Sequence, residues 1–343
     1  MKAVSSGVFA LAFGAMVFAM FTFRKLAAET QHAGEYRISG PFTHDNLSVF
    51  LIHSTAGAAK PLKPLMTLEE AIAQHKVIVY ETRNVNELTV ENVSGEDVFI
   101  ESGDIVKGGA QDRTFKDDII LPTKSGRVNI SAFCVEHGRW SRRGNESVAT
   151  FDSATDSIAT KDLKMAVRMK EDQRSVWDRV AAAQASMSSA LRSDVRAAAS
   201  PTSMPMAMQA PVVQKSIEGY LADLKKVVDG KPDVIGYAFA INGKVNSADV
   251  YASHDLFVKL WSKLLRASAI EAVSESNASQ KFAPATVAAV QAALHDAESG
   301  KASARQLTDR TSVHVKETAH NVVFETRDGA QQDAWVHRNY MTK

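Results

Sequence analysis

The sequence predicts an α+β fold with an antiparallel, β-rich first half and with helices plus β-hairpins in the second half. Three observations support this class: β-branched segments separated by polar turns dominate residues 36–135, apolar residues recur at helical spacing after residue 161, and an Asn-Gly turn joins two strands near residue 242. No unit of about 20 to 50 residues repeats, which argues against a solenoid or propeller. Residues 36–343 are therefore predicted to form a single domain.

Composition and charge exclude several classes of protein. The 343 residues carry 40 Lys+Arg against 39 Asp+Glu, a formal net charge of +1. Because nucleic-acid binders that neutralise phosphates usually contain strongly basic domains, we expect no nucleic-acid partner. The single cysteine, Cys134, excludes an intramolecular disulfide and a cysteine-only metal cage.

Residues 1–28 are predicted to be a signal peptide or a signal anchor. An apolar run covers residues 8–23, and the small residues at 26–28 suit a cleavage point. Arg24 and Lys25 are unusual between these two features, so an uncleaved membrane anchor over residues 4–23 remains the alternative; a buried core helix is a third. The first two predict export or membrane anchoring, in the periplasm or cell envelope. The orientation stays open, since the charges at the two ends nearly balance.

The first half is predicted to be antiparallel β-structure interrupted by one helix. Thr67 and Glu70 have capping-box spacing, which predicts a helix from Leu68 to His75. The predicted strands are Leu47–His53, Lys76–Thr82, Glu87–Val93, Asp97–Glu101, Thr114–Leu121 and Arg127–Val135.

The second half is predicted to begin with a helix over Lys161–Ala199. A Pro/Met-rich segment at residues 200–212 then predicts a mobile loop or linker, with capture of a soft metal by its methionines as an alternative. The remaining predicted elements are a helix Val212–Val228, a hairpin Val234–Ile241 and Lys244–Tyr251 with an Asn242-Gly243 type I′ turn, an amphipathic helix His254–Val273, a helix Pro284–Leu294 with Pro284 at its first position, and strands between Ser312 and Tyr340.

A glycine-rich bend within residues 101–113 is the first candidate site. Gly108-Gly109 permits positive φ or close approach of a ligand to the backbone. Lys107, Gln111 and Arg113 place hydrogen-bond donors around the bend, which suits an anion. The segment lacks the Gly-Lys-Ser/Thr ending of a phosphate loop, and the alternative is a hairpin turn with solvated charges.

The end of the last predicted strand of the first half is the second candidate. Strand alternation places Cys134 and Glu136 on one face and His137 on the other. A nucleophilic Cys134 needs a base or a cation nearby, and the alternative is a small buried hydrophobe. Arg139 and Trp140 suit an anion and a planar group, with a rim ion pair and a core tryptophan as the alternative.

Metal and cofactor chemistry has no signature in the sequence. The ten histidines form no His-Glu-x-x-His or related pattern, and no Gly-x-Ser-x-Gly elbow occurs. We therefore expect no metal site, and the sequence identifies no cofactor.

Several segments together resemble one bacterial family. They are Asn46–Phe50, Gly103–Arg113, Val128–Trp140, Gln173–Trp177, Ile241–Asp249, Leu256-Phe257 and Trp261–Leu265. Over residues 40–275 the chain resembles the ARG and rhodanese-phosphatase-superfamily-associated protein domain. The family name implies association with ADP-ribosylglycohydrolase and phosphatase-like partners, and it implies no established activity.

The sequence favours a non-catalytic ligand-binding or sensor domain. The bend Lys107–Arg113 and the strand end Glu136–Trp140 would form its site as two strand-terminal loops of one sheet. A nucleotide-like or ADP-ribose-related ligand would suit the arginines and Trp140. Two alternatives remain: a hydrolase or transferase that uses Cys134, and a docking domain for a protein partner that uses the helix 161–199 and the Pro/Met segment.

Overall fold

The computed structural model describes residues 36–55, 63–277 and 280–343, without the side chains of residues 155–157. Strands and helices are mixed in these residues, so the predicted α+β class is confirmed. The predicted signal peptide or anchor at residues 1–28 lies outside the described residues. Within the described part, no helix combines the length and the apolarity needed to cross a membrane.

The elements follow one another in a β-rich first half and a mixed second half. The strands are β1 (Tyr36–His44), β2 (Leu47–Ser54), β3 (Met66–Thr67), β4 (Val77–Glu81), β5 (Glu87–Asn92), β6 (Val98–Ile100), β7 (Asp104–Gly108), β8 (Arg113–Phe115), β9 (Ile119–Leu121), β10 (Gly126–Cys134), β11 (Thr150–Ile158), β12 (Val234–Ile241), β13 (Lys244–Tyr251), β14 (Lys301–Gln306), β15 (Thr311–Glu317), β16 (Asn321–Asp328) and β17 (Ala334–Thr342). The helices are α1 (Leu68–Ala73), α2 (Lys161–Met165), α3 (Gln173–Leu191), α4 (Met204–Met208), α5 (Pro211–Leu224), α6 (His254–Ser274) and α7 (Val287–Glu298).

The strands form three sheets. An eight-stranded sheet has the order β1-β2-β12-β13-β17-β16-β15-β14, and β10-β5-β4-β11-β7-β8 close into a barrel. The third sheet is small and has the order β3-β6-β9, with β3 and β6 parallel. The barrel consists entirely of strands from the first half of the chain, whereas the large sheet joins β1 and β2 to the second half.

Helix α6 is the centre of the main hydrophobic core. Phe257, Leu260, Trp261 and Leu264 are buried at the predicted three- and four-residue spacing. The same core includes side chains of the large sheet, of the barrel and of helices α3 and α5. Burial of each large apolar side chain contributes about 1.5–3 kcal/mol to the stability of the fold. Because α6 shares its core with both sheets, its side chains hold the barrel against the large sheet.

Two local predictions are confirmed in atomic detail. Asn242 and Gly243 both have positive φ, at 52° and 76°, as a type I′ turn requires. The Thr67 hydroxyl accepts from the Glu70 amide at 3.2 Å, and the Glu70 carboxylate accepts from the Thr67 amide at 2.9 Å. This capping box begins a helix that ends at Ala73, two residues before the predicted end at His75.

The predicted strand Thr114–Leu121 is two strands in the structure. β8 belongs to the barrel and β9 to the small sheet, and residues 116–118 lead from one to the other. The Asp118 carboxylate fixes this crossing by accepting from the Ser102 amide at 2.7 Å. Residues 116–118 are all charged and residues 119–121 are all apolar, so the alternation expected of one strand breaks at this crossing.

The predicted helix Lys161–Ala199 is also divided. A π-helical turn follows α2 and ends at Glu171, which has φ of 54°. Asp172 then caps α3 by accepting from the Ser175 amide at 2.8 Å, and α3 ends at Arg192, which has φ of 50°. Left-handed backbone conformations at Glu171 and Arg192 account for both ends.

The Pro/Met segment at residues 200–212 differs from the expected loop. It contains α4, which Ser203 caps, and Met204 and Met208 are buried in the main core. The helix predicted from Pro284 begins later, as α7 after the N-cap Thr286.

Candidate functional site

The two predicted site segments lie against each other at one end of the barrel. The bend follows β7 and precedes β8, and the second segment follows β10, which pairs with β8. The Val135 amide donates to the Asp112 carbonyl at 2.9 Å, and the Asp112 amide donates to the Glu136 carboxylate at 2.8 Å. Gly108 and Gly109 have φ of 117° and 53°, as expected for this bend.

Buried charges join the two segments in what we call the Asp112–Glu136 cluster. Glu136 accepts from Arg139 at 2.7 Å, from Arg143 at 3.1 Å and from the Ser200 hydroxyl. Asp112 accepts from Arg143 at 2.8 Å and 2.9 Å. Both carboxylates are fully buried, so the arginines are held as partners of interior anions.

Further hydrogen bonds within the protein occupy the polar groups of the cluster that a ligand would need. Arg139 also donates to the Gly108 and Gly109 carbonyls, at 2.9 Å and 3.1 Å, and the Ser203 hydroxyl donates to Asp112 at 2.6 Å. The ion pair that is the alternative for Arg139 exists, but it lies largely in the interior and not at the rim. Trp140 is 54% exposed, so the alternative of a core tryptophan is wrong.

Two of the three donors predicted around the bend, Arg113 and Gln111, are fully buried. Arg113 is fully buried, pairs with Glu81 at 3.1 Å and donates to the Val85 carbonyl at 2.7 Å. Lys107 is partly exposed and donates to Gln209 at 3.1 Å. The side-chain amide of Gln111 is buried without a hydrogen-bond partner among the described residues. Arg113 therefore cannot reach a ligand in solvent, and the alternative of solvated charges fails for it.

Cys134 has the environment of a structural cysteine. It is buried, and its Sγ lies 3.8 Å from the Val85 carbonyl oxygen. Burial raises the pKa of its thiol to about 12, and the charges of Glu81 and Glu136 add to this effect, whereas Arg113 opposes it. Reactive cysteines have lowered pKa values and exposed sulfur atoms.

A groove beside the second segment offers an accessible site, which we call the His137–Trp177 groove. It has a volume of about 430 Å³ and is lined by residues that include His137, Arg174, Trp177, Asp178, Gln184 and Thr202. Ligand pockets typically have volumes of about 300–1,000 Å³. The size of the groove therefore suits a small molecule.

Fixed contacts hold the walls of this groove. The rings of His137 and Trp177 lie 4.3 Å apart between centroids, and the Trp177 indole donates to the Glu136 carbonyl at 3.1 Å. The Thr202 hydroxyl donates to the His137 carbonyl at 2.7 Å. His137 is a site residue that the sequence predicts, whereas Arg174, Trp177 and Thr202 are not. Only the family-like step Gln173–Trp177 gives a signal for two of them.

The described residues also include one group that could hold a metal ion, far from the groove in sequence. Ligand atoms of Glu101, Asp249 and His337 lie within 4.8 Å of one another. Sequence spacing gives no signal for this group, because its members come from three separate strands or strand ends.

The barrel, the open sheet and the interposed helix α6 define a mixed α+β domain with ligand-sized space at the barrel end. The family model of the ARG and Rhodanese-Phosphatase-superfamily-associated Protein domain matches residues 35–341, and the chain belongs to this family. The match extends well beyond residues 40–275, over which the sequence motifs resemble the family. Comparisons with curated proteins and with solved structures found no match.

Proposed function

We propose that this chain is a non-catalytic binding domain for a planar, negatively charged small molecule of the nucleotide or ADP-ribose class, held in the His137–Trp177 groove. The observation that supports this proposal is that the aromatic pair His137 and Trp177 and the exposed cation Arg174 line one groove of ligand size. Aromatic faces bind planar groups, and a guanidinium suits a phosphate.

The polar residues of the groove match the rest of such a ligand. Asp178 lies one turn after Arg174 on α3, so both side chains are on the same face of the helix. A carboxylate accepts hydrogen bonds from sugar hydroxyls, and the Thr202 hydroxyl adds another polar group. In this proposal Arg174 takes the role that the sequence suggests for Arg113 and Arg139.

A binding role is favoured over thiol chemistry by the state of Cys134. Its sulfur is buried, and its raised pKa keeps it protonated at neutral pH. The groove, in contrast, requires no reactive group to hold a ligand.

The test is calorimetric titration of the purified chain with ADP-ribose and ATP. Arg174→Ala should weaken binding about 10- to 100-fold, because a charge-assisted hydrogen bond contributes about 1.5–3 kcal/mol. His137→Ala should also weaken it. The matched control is Arg179→Ala, which removes an exposed arginine that is on the same helix and pairs with Asp162 at 3.5 Å. Absence of binding, or equal affinity in Arg174→Ala and Arg179→Ala, would refute the proposal.

A further inference from the structure

Glu101, Asp249 and His337 meet in the interior where the small sheet contacts the large one. Glu101 directly follows β6, and the other two residues lie on the adjacent strands β13 and β17. All three side chains are buried, and their ligand atoms lie within 4.8 Å of one another. We call them the Glu101–Asp249–His337 triad.

His337 lies between two carboxylates. Its Nδ1 is 2.8 Å from Oδ2 of Asp118, and its Nε2 is 3.3 Å from Oδ1 of Asp249. A neutral imidazole carries a single N–H and can donate to only one of them. With the proton on Nδ1, the Nε2 lone pair faces the Asp249 carboxylate, so a positive charge is required between them. That charge is either a second ring proton or a metal ion.

Glu101 supplies an independent observation that points to a ligand. The Tyr251 hydroxyl donates to Oε1 at 2.9 Å, whereas the buried Oε2 has no hydrogen-bond partner among the described residues. The Lys263 ammonium is 3.5 Å from Oε2 and donates instead to Asp104. A buried carboxylate oxygen that accepts no hydrogen bond is costly, and coordination to a cation would satisfy it.

The charges around the triad leave an excess of negative charge. The ammonium groups of Lys164 and Lys263 lie 3.9 Å and 3.5 Å from the Glu101 carboxylate. Arg168 lies 3.7 Å from Asp117, which Arg305 binds at 2.8 Å. Four buried carboxylates surround these lysines: Glu101, Asp104, Asp118 and Asp249. Because Asp117 is shared between Arg168 and Arg305, one negative charge remains around a neutral His337, and a cation bound in place of a second ring proton would offset it.

The surroundings also have the second layer of hydrogen bonds that metal sites use. Asp118 orients the imidazole through Nδ1, as carboxylates do for metal-bound histidines, and Asn339 donates to Asp249 at 2.7 Å. A narrow cavity reaches Asp249 past Thr160 and Ser247 and leaves about 20 Å³ for the centres of water molecules, which is room for about one or two waters. Water in this cavity can complete the coordination of an ion.

We propose that the Glu101–Asp249–His337 triad binds one divalent first-row transition ion, of the class of Zn²⁺ or Mn²⁺. Two carboxylates and one imidazole are a donor set that these ions accept. Asp118 acts as a positioning residue for His337. This site is independent of the groove, since it shares no residue with it.

The experiment measures metal bound to the full chain after extraction with a chelator and addition of Zn²⁺ or Mn²⁺. We expect about one ion per chain by mass spectrometry of the eluted metal. Glu101→Gln should reduce the affinity at least 100-fold, and Asp118→Asn should reduce it about 10- to 100-fold. Cobalt substitution gives a second readout, because loss of the imidazole in His337→Gln should change its visible spectrum.

Glu271→Gln is the matched control, since Glu271 is a buried carboxylate that lines the same cavity outside the triad. It should bind metal as the wild type does. Binding well below one ion per chain for both metals would overturn the proposal, as would equal affinity in Glu101→Gln, Asp118→Asn and Glu271→Gln. Nitrogen NMR would then show His337 protonated on both ring nitrogens. If Glu101→Gln fails to fold, the comparison of Asp118→Asn with Glu271→Gln decides.

Discussion

The guanidinium of Arg143 binds the carboxylate of Asp112 through two hydrogen bonds, of 2.9 Å from Nη1 and 2.8 Å from Nη2. Arg143 lies in the loop after β10, whereas Asp112 lies in the bend before β8. Because both side chains are buried, this pair ties the two loops of the barrel end together.

Loss of this pair should destabilise the fold. Arg143→Ala leaves Asp112 and Glu136 buried with less compensating charge, so we expect the free energy of unfolding to fall by about 3–5 kcal/mol. Denaturant unfolding monitored by circular dichroism measures it. The control Arg196→Ala breaks an exposed pair with Asp194 and should cost less than about 1 kcal/mol. Equal effects of the two substitutions would show that the cluster adds no stability.

Cys134 should resist thiol reagents in the native state. Its pKa is raised to about 12 by burial, so almost no thiolate forms at about pH 8, and labelling should require unfolding. The rate of reaction with a chromogenic disulfide, with and without denaturant, tests this. Rapid labelling of the folded chain would support the thiol-dependent enzyme instead.

The same raised pKa predicts a loss of stability in alkali. The unfolded thiol releases its proton near the ordinary cysteine pKa of 9.0, and the folded thiol has a pKa of about 12. The contribution of Cys134 is therefore complete below about pH 9 and is lost as the pH rises towards 12. Unfolding free energies of the wild type and Cys134→Ala should converge or cross over this range, and a constant difference between them would contradict the assignment.

Arg310 should govern part of the stability in acid. It lies 3.0 Å from Asp97 and 2.7 Å from Asp328. Burial alone would raise the pKa of each carboxyl, but hydrogen bonds, from Lys63 and Arg310 to Asp97 and from Arg310 and Gln331 to Asp328, lower both pKa values below the ordinary aspartate value of 3.8. The contribution of these two carboxylates to the free energy of unfolding is present above the ordinary aspartate pKa of 3.8. It is lost as the pH falls through their lower pKa values in the folded state.

Urea unfolding between about pH 7 and pH 2 checks this prediction. Arg310→Gln should lower the stability at neutral pH and flatten its decline in acid, because the carboxylates lose the partner that lowers their pKa. Arg37→Gln, which breaks the exposed pair with Asp233, is the control and should leave the profile close to that of the wild type. An unchanged acid slope in Arg310→Gln would count against the ion pairs.

Gly109 should tolerate no side chain. A Cβ there would lie 2.2 Å from the Phe151 ring and 2.7 Å from the Glu81 carboxylate, at φ of 53°. Gly109→Ala should therefore cost about 1–3 kcal/mol for the clash in addition to the backbone strain. Gly144→Ala isolates the strain, since Gly144 has φ of 54° and open space around its Cβ position. Thermal denaturation compares the two, and equal midpoints would exclude the clash.

The sequence by itself determined the elements whose signals are local. The capping box at Thr67, the type I′ turn at Asn242 and the amphipathic stripe of α6 depend on interactions between residues a few positions apart. The juxtaposition of the bend and the strand end was also expected, because both were assigned to strand ends of one sheet. The family followed from a set of short motifs in a fixed order.

Only the tertiary structure decided which charges face solvent and which distant residues meet. Arg113 and Arg139 have the side-chain chemistry of anion ligands, but Glu81 and Glu136 bind them in the interior. Residues 116–118 lead from β8 of the barrel to β9 of the small sheet. Glu101 and His337 become neighbours through the pairing of β13 with β17 beside β6. Periodicity reports the environment of each residue along its own element, whereas sheet closure and the pairing of buried charges depend on contacts between elements far apart in the chain.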